Sequence, residues 1–167
     1  MNQYTFNVRP AALADLTSLV ELRALLLDGT SASYSSKTPE DSAQWRAAYR
    51  NWLGSRLGEN DCVQILAAEH KESGQVVGCA TAIIDQRAPA PNCPNGLSGW
   101  VQSVVVKPQW RNRGIARQLI QQLLRWFANR GIGPVVLQST EAAGTLYQAL
   151  GFVASDERLM ICQEASA

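Results

Sequence analysis

The stretch from Val104 to Leu119, VVVKPQWRNRGIARQL, constrains the fold of this chain more than any other. Three valines favour a strand, and Pro108 ends it because proline lacks the amide hydrogen that a sheet ladder needs. The residues after Gly114 have the apolar spacing of an amphipathic helix, so only a short basic loop separates strand from helix. The first amides of a helix have no intrahelical partner, and the helix dipole adds positive charge there. This junction therefore predicts an anion-binding site.

Apolar periodicity along the whole chain predicts alternating strands and helices. Helices are expected over PAALADLTSLVELRALLLDG, PEDSAQWRAAYRNWLGSRLG, residues 114–129 and EAAGTLYQALG. In the third helix, one apolar face is expected to carry Ile115, Leu119, Leu123 and Trp126. Strands are expected over YTFNVRPA, DCVQILAAEH, QVVGCATAIIDQ, WVQSVVV, PVVLQS and FVASDERLMICQ, the last of which is equally typical of a hairpin. The pattern predicts one mixed α/β domain over residues 1–167, ordered β-α-α-β-β-β-α-β-α-β, with helices against the sheet.

Charge and hydropathy exclude several classes of partner. The net charge is +1, and the basic residues are densest at Arg111, Arg113 and Arg117, so the chain has no extended nucleic-acid footprint. No apolar run approaches the roughly 20 residues that span a bilayer. The first residues also lack the basic and apolar regions of a secretory signal. We expect a cytoplasmic protein that binds neither nucleic acid nor membrane.

The cysteines and the histidine do not have the spacing of a metal site. Cys62, Cys79, Cys93 and Cys162 include no Cys-x-x-Cys pair, and His70 is the only histidine. We expect reduced, mostly buried thiols and no metal. A cysteine nucleophile is disfavoured, because His70 would have to be its base.

The basic loop differs from two common phosphate loops. A Walker loop needs a Gly-Lys pair, which occurs nowhere in the chain, and a dinucleotide fingerprint needs G-x-G-x-x-G near the first strand. Instead, RNRGIA at residues 111–116 resembles the pyrophosphate-binding motif Q/R-x-x-G-x-G/A of the GNAT superfamily of acyl-CoA N-acyltransferases. GTLYQALGF at residues 144–152 is similar to the family's C-terminal signature LYxxLGF, and VRPAALADL is typical of its N-terminal strand and helix.

The resemblance implies a mostly antiparallel mixed sheet and acetyl-CoA as the acyl-donor cosubstrate. It assigns the acceptor side to about residues 1–97 and CoA binding to about residues 98–163. The pantetheine arm would pair with the main chain of the fourth strand at Val104 and Val106, which requires that strand to diverge from the fifth. The residues implied to bind CoA are Val104, Val105, Val106, Arg111, Asn112, Arg113, Gly114, Ile115, Ala116, Arg117 and Thr140.

Two catalytic roles also follow from the resemblance. The backbone amide of Val104 would stabilise the developing oxyanion, and the hydroxyl of Tyr147 would protonate the departing thiolate. The alternative for Tyr147 is an aromatic side chain that only fills space under the last helix.

The general base has no clear candidate. Relatives often carry a glutamate on the fourth or fifth strand, where this chain has Gln102, Ser103, Gln138 and Ser139, and many carry an asparagine where it has Thr140. Asp85 and Glu141 remain candidates, beside a water relay or an acceptor that arrives as the neutral amine.

The acceptor site of this family is shaped by the first two helices, their connection and the loop before the fourth strand. The aromatic stripe Trp45, Tyr49 and Trp52 is either core or pocket wall, and no acidic or basic cluster identifies the acceptor. We expect an acetyl-CoA-dependent N-acetyltransferase acting on a primary amine of a small molecule or peptide. The alternative is a catalytically silent acyl-CoA-binding or sensing module, and the sequence leaves a homodimer open.

Overall fold

The computed structural model describes residues 5–30, 34–58, 60–156 and 160. The elements run β1 (Phe6–Pro10), α1 (Leu16–Leu27), α2 (Pro39–Arg56), β2 (Val63–His70), β3 (Val76–Gln86), β4 (Leu97–Val106), α3 (Ile115–Ala128), β5 (Val135–Leu137) and α4 (Gly144–Gln148). Short 3₁₀ turns precede α1, α3 and α4. This order confirms the predicted α/β arrangement as far as α4. Most of the expected closing strand FVASDERLMICQ lies outside the described residues, and residues 152–156 have no regular structure.

The described strands form one sheet in the order β1-β2-β3-β4-β5. Strands β1 to β4 pair antiparallel, whereas β4 and β5 pair parallel. The parallel pairing joins only Gly99–Val101 to Val135–Leu137, so the second half of β4 continues beyond the end of β5. Beyond Val101, β4 therefore has no β5 partner, which leaves this edge of the strand open for the predicted pantetheine arm.

Helices cover both faces of the sheet. Helix α3 packs on one face through Ile115, Leu119, Leu123 and Phe127, while α1 and α2 pack on the other. The predicted face of α3 omits Phe127, which is buried, whereas the predicted Trp126 packs against the same core but is only half-buried. Gly99 on β4 explains the difference: a Cβ atom there would approach the Phe127 ring to 2.7 Å, so the glycine makes room for the ring.

The junction between α1 and α2 is fixed by caps and by one carboxylate. Thr38 caps α2 by accepting a hydrogen bond from the Asp41 amide at 3.1 Å. The carboxylate of Asp28, at the end of α1, accepts hydrogen bonds from Ser42 and Trp45 on α2, both at 3.0 Å. Burial alone would raise the pKa of Asp28, but its hydrogen bonds outweigh burial and lower the pKa to about 2. This carboxylate holds the two helices together beside the site described below.

Candidate active site

The basic loop between β4 and α3 has the backbone shape of an anion site. Asn112 and Gly114 both have left-handed conformations, with φ of 60° and 79°. Gly114 is also the N-cap of α3, so the loop ends on the free amides of the first helical turn. Curled backbone of this kind and helix N-termini both present N–H groups to anions. Arg111 ties the loop to β4 by donating from Nε to the Val106 carbonyl at 3.3 Å.

A cleft of about 500 Å³, here called the loop cleft, lies beside this loop. All the residues predicted to bind CoA line it except Arg113, whose guanidinium lies 4.9 Å from the ring centre of Trp110, itself a lining residue. The sequence did not predict that side chains from α1, from Trp110 and from the segment at the start of α4 also line this cleft. These additional lining residues are Leu25, Leu26, Trp110, Ala142, Ala143 and Leu146.

Strand β4 carries a β-bulge where it leaves β5. Cys79 is opposite Val105 and Thr81 is opposite Gln102, so β4 has one more residue than β3 in this interval. Ser103 has a φ of 51°, which is uncommon for a residue other than glycine. Val104 has no register partner on β3 and lies beyond the β5 pairing. The bulge thus leaves the main chain around Val104 outside the regular ladder, facing the widened gap.

Tyr147 is both a packed and a cavity-lining residue. It is 8% exposed, and its ring meets Phe152 edge-on at a centroid distance of 5.8 Å. Burial raises the pKa of its hydroxyl, so the group stays protonated at neutral pH. The hydroxyl makes no hydrogen bond to another side chain among the described residues. Packing and a role as proton donor are compatible at this position.

Two further cavities adjoin the loop cleft. A central cavity of about 500 Å³ shares Val104, Thr140 and Tyr147 with it. An aromatic pocket of about 450 Å³ shares Arg23 and Gln102 with the central cavity. The aromatic pocket is lined by Arg23, Leu27, Trp45, Ala48, Tyr49, Trp52, Thr81, Ile83 and Gln102. The aromatic stripe of α2 is therefore a pocket wall as well as part of the core.

Within the described part of the chain, no carboxylate lines any of these three cavities. Asp85 is half-exposed and pairs with Arg87 at 3.1 Å, and Glu141 is exposed at the turn before α4. Burial raises the pKa values of Tyr49 and Cys79 to about 12 each, so neither is a base at neutral pH. Among the described residues, the geometry offers no side chain in the role of general base.

Arg23 is the feature of the site that the sequence prediction missed. It lies on α1, and its guanidinium donates to the Ser103 hydroxyl at the β4 bulge. It also lies 4.6 Å from the ring centre of Tyr49. These residues are far apart in the sequence, and no local pattern distinguishes Arg23 from a solvated arginine on a helix.

Comparisons with known proteins agree with this geometry. Residues 19–152 match the acetyltransferase (GNAT) family. A glucosamine 6-phosphate N-acetyltransferase from Trypanosoma brucei brucei is 30% identical over 94 residues, 55% of this chain and 60% of that protein. An aminoglycoside N(6′)-acetyltransferase type 1 from Salmonella typhimurium is 31% identical over 102 residues, 55% of this chain and 69% of that protein.

A solved structure shows the same fold. It is a predicted acetyltransferase with acetyl-CoA from Clostridium acetobutylicum, with a TM-score of 0.76 and 22% identity over 94% of this chain and 96% of that one. The chain belongs to the GNAT family of acetyltransferases.

Two kinds of feature are absent from the described residues, a membrane-spanning helix and a metal-binding cluster. None of their helices is both long enough and apolar enough to cross a membrane. They also contain no group of three or more His, Cys, Asp or Glu side chains placed to hold a metal ion.

Proposed function

We propose that this chain transfers the acetyl group of acetyl-CoA to a primary amine of a small molecule that enters through the central cavity. The observation that carries the proposal is the stretch of β4 around Val104 without a β5 partner, because Val104 and Tyr147 both line the loop cleft and the central cavity. The pyrophosphate would bind the loop amides, and the pantetheine arm would lie along Val104–Val106 like an added strand.

Transfer needs an acceptor amine without its extra proton, a donor to the developing oxyanion and a proton for the leaving thiolate. The chain's own groups supply the last two. The amide of Val104 donates to the carbonyl oxygen as negative charge develops on it, and the hydroxyl of Tyr147 gives its proton to the leaving thiolate. The second role is compatible with the protonation state of Tyr147, because burial raises the pKa of its hydroxyl and the proton is present when the thiolate forms. The acceptor binds as the neutral amine or loses its proton to water, since no carboxylate among the described residues lines the cavities.

In this proposal, the two halves of the chain bind different substrates. About residues 98–163 supply most of the CoA contacts, and about residues 1–97 supply the walls of the acceptor pocket, although Leu25 and Leu26 of α1 also line the loop cleft.

Two measurements on the purified chain test the proposal. CoA should raise the melting temperature much more than ATP does, because only CoA has the pantetheine arm that fits β4. Acetyl-CoA with a panel of primary amines should release CoA thiol in an amount equal to the acetylated product. CoA binding without thiol release for any amine would favour a silent acyl-CoA-binding module, and equal thermal shifts for ATP and CoA would contradict the pantetheine site.

A further inference from the structure

We infer that the acceptor is an α-amino acid with a large apolar side chain, whose carboxylate binds Arg23 and whose side chain fills the aromatic pocket. This inference rests on the proposed function, because it names the substrate class of the same site. Three observations carry it: Arg23 has no carboxylate partner among the described residues, it lies near Val104, and the walls of the central cavity and the aromatic pocket suit such an acceptor.

Unlike three other arginines of the described residues, Arg23 has no carboxylate partner. Arg9, Arg46 and Arg87 each form an ion pair with a carboxylate, whereas Arg23 has none among the described residues. Arg23 is half-buried and has five N–H donors, yet Ser103 is the only described residue that accepts a hydrogen bond of acceptable geometry from it, and its guanidinium lies over the Tyr49 ring. A partly desolvated, unneutralised arginine is suited to bidentate recognition of a carboxylate.

The position of Arg23 sets where such a carboxylate would lie. Arg23 lines both the central cavity and the aromatic pocket, and the Ser103 that it contacts immediately precedes Val104. An anion on Arg23 is therefore close to the amide proposed to stabilise the thioester oxygen. An α-amino acid fits this arrangement, because its amine and its carboxylate are attached to the same carbon.

The aromatic pocket supplies the third part of the argument. Its walls are mostly apolar, with Trp45, Tyr49 and Trp52 from α2 and Leu27 and Ile83 on neighbouring elements. Within the described residues, neither the central cavity nor the aromatic pocket has a carboxylate in its walls. A polycationic acceptor would therefore meet the positive charge of Arg23 and no counter-ion. An apolar side chain beside one anionic group matches both the walls and the charge.

The reaction balances with acetyl-CoA and the amino acid alone. A bond forms between the α-nitrogen and the acetyl carbon, and the carbon–sulfur bond breaks. From the ammonium form of the acceptor, one proton passes to solvent, and the CoA thiolate leaves as the thiol after protonation.

The first test compares acceptors that differ at the carboxylate. L-phenylalanine, L-phenylalaninamide and phenethylamine share the ring and the amine, so the ratio of their kcat/KM values isolates the anion. We expect L-phenylalanine to exceed both others by at least about tenfold, the value of one charge-assisted hydrogen bond. The amide has the more acidic ammonium, so amine basicity alone would favour it and give the opposite order. Glucosamine 6-phosphate and kanamycin test an anion on a polar body and a polycation; better turnover of either than of L-phenylalanine would overturn the inference.

The second test removes the charge. Arg23→Met should collapse the ratio between L-phenylalanine and phenethylamine toward one, and Arg23→Lys should restore part of it. Arg125→Met, at an exposed arginine outside all three cavities, is the matched control and should keep the wild-type ratio. If Arg23 only supports the β4 bulge, Arg23→Met will slow both acceptors alike and leave the ratio intact, which would contradict the inference.

Calorimetry on the CoA complex separates this inference from the proposed function. Binding of L-phenylalanine that depends on Arg23, without turnover, would support the amino-acid site and contradict acetyl transfer. Turnover of amines with no preference for the carboxylate would support acetyl transfer and contradict the amino-acid site.

Discussion

Replacing Tyr147 with phenylalanine deletes one hydroxyl group and leaves the rest of the side chain in place. The ring is 8% exposed and meets Phe152 edge-on, a contact that the substitution retains. No side chain of a described residue hydrogen-bonds to the hydroxyl, so its removal leaves no such partner unsatisfied. We therefore expect the free energy of unfolding to change by less than about 1 kcal/mol.

The effect on catalysis should be much larger. General acid–base groups contribute roughly 10²–10⁴-fold, and water in the central cavity can replace part of that. We expect kcat to fall at least about tenfold, which corresponds to about 1.4 kcal/mol in the activation barrier. The dissociation constant of CoA should stay within about twofold, because the lost group acts only when the thiolate forms.

The pH dependence gives a second signature of the same hydroxyl. The group can donate a proton below its pKa and not above it, and burial raises that pKa above its ordinary value of about 10. The wild-type rate should therefore fall only at a pH above about 10 as this group ionises, and Tyr147→Phe should lack that alkaline limb.

Thiol-release kinetics across pH measure kcat and the alkaline limb, calorimetry measures the dissociation constant of CoA, and denaturant titration measures the free energy of unfolding. An unchanged kcat with an unchanged alkaline limb would remove Tyr147 from the mechanism and leave it as a packing residue. A pre-steady-state burst in the wild type would show that product release limits kcat, and the tenfold loss should then appear in the burst rate.

Three other substitutions test the loop, the aromatic pocket and the helix junction. Gly114→Glu should abolish CoA binding, measured by calorimetry, in a protein that still folds. The matched control is Gly131→Glu, which introduces the same charge at another exposed left-handed glycine, with φ of 65°. This control should bind CoA normally. Tyr49→Phe removes a buried hydroxyl that forms no hydrogen bond of acceptable geometry with the described residues, so the unfolding free energy should rise by about 1 kcal/mol in denaturant titration; a loss of that size would contradict the burial argument. Asp28→Asn should lower stability at pH 7 by about 1 kcal/mol. Because hydrogen bonding lowers the Asp28 pKa to about 2, its contribution is present above its ordinary pKa and lost as pH falls toward 2, so melts should show the gap closing at acid pH; a constant gap would contradict it.

The loop cleft could be predicted because its signals are local. A strand ended by Pro108, a left-handed Gly114 and an apolar helix face all depend on residues within a few positions of one another. The list of CoA-binding residues came from the resemblance to the family, and all of its members except Arg113 line one cleft. Whether CoA binds there stays a prediction.

The acceptor side could not be predicted because it depends on contacts between distant segments. The β4 bulge is defined by the register with β3, and Arg23 reaches it from α1. Strand β4 also begins earlier than predicted, at Leu97. Gly99 disfavours a strand locally, but the distant Phe127 ring packs in the space that a glycine leaves there. Tertiary packing decided these positions against local propensity.

A crystal structure with CoA and a trapped amine acceptor tests the central claim most directly. The account predicts the pyrophosphate on the amides of residues 113–116, the pantetheine arm along Val104–Val106, and the sulfur within about 4 Å of the Tyr147 hydroxyl, close enough for proton donation. The acceptor nitrogen should lie in the central cavity, facing the thioester position. CoA bound away from β4, or a sulfur directed away from both Val104 and Tyr147, would contradict the account.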